Sequence, residues 1–138
     1  MTRAIRWWQS LRARIGHRGS ALLFFGLLDL VFAGSLIAPP LETRSSASYA
    51  FLATILPLPV WAVAWGSVGL LCAVQAFMVA DRAAFVAASW LKVGWGGIYL
   101  AGWLLGEIPR GYVAAAIWLA FAGFVAVIAS WPEPLRRP

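Results

Sequence analysis

Asp29 and Lys92 are the residues whose types and surroundings could do chemistry. Asp29 stands in ALLFFGLLDLVFAGSLIAPP (21–40), and the sole lysine, Lys92, stands in AAFVAASWLKVGWGGIYLAGWL (83–104). A carboxylate and an ammonium inside apolar segments have two kinds of role. They carry or gate an ion or proton, or they neutralise each other as a pair that fixes helix register. The pair is the expected role. A transporter shows more: a substrate-sized polar set, inverted repeats or broken helices. Here there is only a break at Pro57/Pro59 and one further strongly polar residue deep in a span, Gln75, set away from the small-residue face described below. Metal chemistry has no candidates, because Cys72 and His17 are single and far from any cluster of ligand type. No nucleophile, base or cofactor site can be assembled either, so the chain reads as a non-enzyme that needs no cofactor.

The surrounding elements must be helices in lipid. Of 138 residues 62% are hydrophobic and 12% charged, more apolar surface than a soluble domain of this size can bury. Four runs have the length of about 20 residues that crosses a bilayer: 20–38, 59–80, 84–105 and 112–131. The predicted fold is all-α, a four-transmembrane-helix bundle over 20–138 preceded by a basic amphipathic helix over 1–19. Asp29 lies nine residues beyond Ser20, and Lys92 nine beyond Ala83. Both therefore sit about 14 Å from the same boundary, near the midplane. An aspartate at a helix centre costs about 3 kcal/mol on insertion, while the Leu, Ile, Val and Phe residues of span one return about 3–7.

Small residues mark where helices approach closely. Gly26 and Ala33 flank Asp29 on its own face, and Ala84, Ala88 and Gly96 form a ladder around Lys92. Span two carries Ala62, Gly66, Gly69, Ala73, Ala76 and Ala80, the alternating spacing of a left-handed packing seam. Gly102 and Gly106 form a GxxxG too short to be decisive. Trp61, Trp103, Trp131 and Tyr112 fall at span ends, as an interfacial aromatic belt requires. Trp95, one turn from Lys92, is placed to offer its ring to the ammonium. The connection 39–58 predicts a short interfacial helix, then a break at Pro57 and Pro59. Spans two and three turn over at Asp81–Arg82.

Eight positive residues fall on the side of the first segment, the Arg82 turn and the last segment, against Arg44 and Arg110 on the other. By the positive-inside rule both termini are cytoplasmic, in a bacterial inner membrane. Within residues 2–18 Ala4, Trp8, Leu11 and Ile15 share a helical face, with Trp7 at its edge. Arg3, Arg6, Arg12, Arg14 and Arg18 supply the charge, which suits an anchor among anionic headgroups rather than a nucleic-acid arm. The alternative, a signal peptide cleaved near SSASYA, would discard Asp29 and with it the partner of Lys92.

The layout RAIRWWQSLRARIGHRGSALLFFGLLDL (3–30) leading into APP, with the ending GEIPRGYVAAAIWLAFAGFVAVIASWPEP (106–134), resembles small four-span proteins of actinobacterial phages and prophages. The likeness covers nearly the whole chain and lies in layout, with no motif to carry over residue by residue. Ten arginines against one lysine, 25 alanines and no asparagine agree with a GC-rich source. The resemblance implies a holin-like protein that self-assembles into membrane lesions. Its alternatives are an accessory subunit or superinfection-exclusion protein bound to another membrane protein, and a small channel or transporter using Asp29 and Lys92. The expected partners are the bilayer, further copies of the chain or a membrane protein, with no nucleic acid.

Overall fold

In the computed structural model residues 3–132 are described, with side chains from Gly16 onward. The helices are α1 (Arg3–Ile37), α2 (Leu41–Arg44), α3 (Ala47–Ile55), α4 (Leu58–Gln75), α5 (Arg82–Leu104) and α6 (Gly111–Ala129). Among the described residues there is no strand. The backbone of Gly16 (φ 64, ψ −177) interrupts α1, a conformation glycine adopts without a Cβ penalty. The side chains of Arg3, Arg6, Trp7, Trp8, Arg12 and Arg14 lie outside the described residues.

Local chemistry sets the other boundaries. Helix α1 stops ahead of Pro39 and Pro40, because the residue before a proline is pushed out of the helical region. Leu56, before Pro57, is extended (φ −148, ψ 148) for the same reason and ends α3. Pro59 then sits in the first turn of α4, where a missing N–H costs nothing. The connection between α1 and α4 is thus two short helices and a break. Trp61 Nε1 donates to the Leu52 carbonyl at 3.2 Å, fastening α3 onto α4. At the end of α5, Gly106 (φ 77) lets the N–H groups of Glu107 and Ile108 return to the Gly102 carbonyl at 2.9 and 3.0 Å. Gly106 is therefore a helix stop, and Gly102 packs on Ile108 and Phe51 instead of forming a helix-dimer motif with it.

Among the described residues three helical segments are long and apolar enough to cross a membrane: Gly16–Ile37, Leu58–Gln75 and Gly111–Ala129. Helix α5, at 23 residues, has the length but is less apolar, since it carries Lys92, three tryptophans and Tyr99. Helix α1 packs along α4, and α5 packs along α6; contact between α1 and α5 is slight. Small residues set both close approaches. A Cβ on Gly26 would meet the Gly69 carbonyl oxygen at 2.8 Å, and one on Gly69 would meet the Gly26 oxygen at 3.0 Å. In the other pair a Cβ on Gly96 would meet the Ala115 oxygen at 3.3 Å and the Leu119 side chain at 3.0 Å.

The second span is shorter than the sequence implies. Helix α4 ends at Gln75 instead of reaching residue 80, and the chain reverses through two tight turns, Phe77 N–H to Val74 O and Met78 N–H to Gln75 O. The Gln75 side chain holds this reversal by accepting the Ala84 N–H at 2.8 Å, satisfying a donor in the first turn of α5. Ala80 consequently lies exposed in the turn and outside the packing seam.

These contacts make opposite predictions for two glycines. Gly69→Leu forces α1 and α4 apart and is expected to lower stability by about 1–3 kcal/mol. Gly97, with nothing within 4 Å of where its Cβ would be, is expected to accept alanine without loss, since alanine is the better helix former. Thermal unfolding in detergent micelles reads both.

Candidate functional site

The core has two apolar layers with charge between them. One layer gathers Leu22, Phe25, Cys72, Ala76, Phe85, Ala88 and Val125; the other gathers Ala33, Leu36, Leu52, Ala62, Trp65 and Trp95. Along α1 and α5, Asp29 and Lys92 fall where the first layer gives way to the second. Lys92 Nζ donates to Asp29 Oδ1 at 2.8 Å and to Oδ2 at 3.1 Å, and both side chains have zero solvent exposure. Isolated, each charge would be far too costly to hold in such surroundings; together they form a charge-assisted, two-pronged contact.

The ammonium also faces two rings, Trp65 at 5.4 Å and Phe25 at 5.9 Å from their centroids. The ring partner is therefore Trp65 of α4, in place of the expected Trp95. A side chain one turn along the same helix runs parallel to Lys92, whereas Trp65 projects from the facing helix. Trp95 instead stacks edge-on against Trp65 at 5.2 Å and Phe32 at 5.5 Å, in a cluster that Trp118 and Trp61 complete. Trp65 and Trp95 are fully buried, and their indole N–H groups have no acceptor among the described residues.

The small residues near the pair serve its neighbours. Gly26 and Ala33 face α4, where Gly66, Gly69 and Ala73 receive them. Ala62 and Ala76 are buried in the two core layers, as is Ala88, and Gly96 faces α6. The glycines thus tighten α1 on α4 and α5 on α6, while the long lysine side chain spans from one helix pair to the other.

A second ion pair, not anticipated from the sequence, repeats this link at the start of α5. Arg18 donates through Nε and Nη2 to Asp81 at 2.9 and 2.8 Å and through Nη1 to the Trp131 carbonyl at 3.2 Å. Its guanidinium lies 5.0 Å from the Phe85 ring centroid. Arg18 is therefore an internal clamp joining α1, the α4–α5 turn and the end of α6. The structure gives this arginine partners that the sequence reading did not assign: a planar fork matched by a carboxylate is satisfied within the chain. Both ion pairs have a sequence separation of 63. On each helix the two members are eleven residues apart, close to three turns, so they share a face. Two parallel helices held in one register produce this signature, and it was available in the sequence.

Among the described residues no three His, Cys, Asp or Glu side chains are grouped to hold a metal ion. The chain matches no family model, no curated protein and no solved structure.

Asp29→Asn or Lys92→Met alone is expected to cost about 3–5 kcal/mol, because each strands a buried charge. The double variant is expected to cost less than the sum. Strictly additive losses in the thermodynamic cycle would mean that the side chains do not interact. Arg18→Lys, which keeps the charge but removes the fork, is expected to lose about 1–2 kcal/mol in the same unfolding measurement.

Proposed function

We propose that this chain is a four-span protein of the bacterial cytoplasmic membrane, with both termini cytoplasmic, that acts by holin-like self-assembly and without catalysis. Helix α5 is the fourth span in this reading. Its 23 residues reach about 34 Å, and pairing Lys92 with Asp29 removes the main obstacle to placing it in hydrocarbon. Arg18, Arg82 and Asp81 would then mark the cytoplasmic boundary, and Arg44 and Arg110 the outer one.

The observation that carries the functional reading is the contrast between interior and exterior. Among the described residues the charge pair deep in the bundle, Asp29 with Lys92, is closed on itself beneath aromatic rings, which favours a bundle that conducts nothing alone. On the outside, Gly34, Gly94, Gly97 and Gly123 have nothing within 4 Å of their would-be Cβ positions. In a bilayer, exposed small residues are where another helix can approach closely. Self-association through such faces fits a protein that permeabilises by assembly, in keeping with the resemblance to phage-encoded four-span proteins. The accessory-subunit reading draws on the outer end, where Leu41 of α2 is 84% exposed and offers a contact to another membrane protein.

Controlled expression in a bacterium, with membrane potential and cell density followed together, separates these readings. Holin-like assembly predicts an abrupt collapse of potential after a delay, absent with a four-span control. Growth with intact potential despite proven membrane insertion would reject it and turn the search to a docking partner.

A further inference from the structure

One cleft combines an unpaired cation with an apolar floor. It lies between α5 and α6 where α5 begins, encloses about 410 Å³, and is lined by Arg82, Val86, Ser89, Trp90, Ala126 and Ser130, with Arg18 beside them. The Arg18 guanidinium is already committed to Asp81 and Trp131. Arg82 is different: it is exposed and has no ion pair or hydrogen bond among the described residues. Trp90 is 70% exposed although it lies two turns into the helix, far enough along to reach below the headgroup level. From Arg82 to Trp90 the cleft runs about 12 Å along α5, polar at one end and apolar at the other.

We propose that this cleft binds an anionic phospholipid of the cytoplasmic leaflet, its phosphate against Arg82 and an acyl chain along Val86, Ala126 and the Trp90 ring. The inference rests on the membrane orientation proposed above. Charge complementarity selects the occupant. A positive group at the boundary of two spans on the cytoplasmic side is the arrangement that holds acidic headgroups. The Trp90 ring, about 12 Å further along α5 and 70% exposed, lies at acyl-chain depth and lines the apolar end of the cleft. Ser130 and Ser89 offer hydroxyls in the same cleft, although Ser130 Oγ donates to the Val127 carbonyl and Ser89 Oγ to the Ala122 carbonyl. Each hydroxyl oxygen can still accept from a glycerol hydroxyl. Zwitterionic lipid fits less well, because its own ammonium or choline would be brought towards Arg82.

The test is tryptophan quenching by brominated lipid with the full chain in vesicles of phosphatidylcholine. A minor fraction of brominated phosphatidylglycerol is compared with the same fraction of brominated phosphatidylcholine. Subtracting the signal of Trp90→Phe isolates the ring at the cleft. The expected result is stronger quenching of Trp90 by the anionic lipid. Arg82→Gln should lower the relative affinity about fivefold, the share of one basic residue near an anionic surface, while Arg82→Lys should keep most of it. Equal quenching by both lipids, or a preference untouched by Arg82→Gln, would overturn the proposal. Flotation of the same vesicles is the separate check on the membrane reading. Protein that fails to float with lipid refutes the membrane reading on which the site rests, whereas protein that floats but shows no preference refutes only this site.

Discussion

Everything in this bundle answers to one constraint: an aspartate and a lysine, both sealed from solvent, must hold each other. Taken singly, each would be too expensive to bury. Paired at 2.8 Å, they convert that expense into a demand for register. The lysine has to come from a helix parallel to that of the aspartate and at the same depth. It also needs neighbours that leave room for its extended side chain. The ring faces of Trp65 and Phe25 meet that need without adding another charge.

The rest of the architecture follows as a division of labour. Gly26 with Gly69 lets α1 and α4 touch through their backbones, and Gly96 does the same between α5 and α6. Those two helix pairs are tight within themselves, and the contact between α1 and α5 is slight. What joins the pairs through charge is Lys92 reaching Asp29 and, three turns away, Arg18 reaching Asp81. Gln75 completes the joint by receiving the Ala84 N–H where the chain turns from one pair to the next. Packing is closest within the pairs, the two apolar layers carry it across them, and the ion pairs fix the register of one pair against the other.

Much of this was legible in the sequence because it depends on periodicity and depth. The apolar runs locate the long helices, and equal distances of Asp29 and Lys92 from their span starts place them opposite each other. The α4 seam through Gly66 and Gly69 follows from spacing alone. What escaped depends on where chains turn and on which helix faces which. Ala80 continues the seam pattern on paper, yet α4 has ended by then, because a side chain nine residues before Ala84 holds the reversal. Proximity in sequence points to Trp95 as the ring for the ammonium, but the rings that face it, Trp65 and Phe25, come from other helices. Arg18 looked like one more basic residue in a basic segment, and Asp81 like a turn former. Only their shared offset of 63 with the central pair would have joined them.

Lys92 is the only lysine, so its ammonium nitrogen can be labelled alone. The most direct measurement is the dipolar coupling between that nitrogen and aspartate carboxyl carbons, by solid-state magnetic resonance of the full chain in lipid bilayers. A buried pair predicts strong coupling to a single aspartate, lost in Asp29→Asn and retained in Asp81→Asn. Absence of coupling in the unaltered chain, or coupling that survives Asp29→Asn, would contradict it.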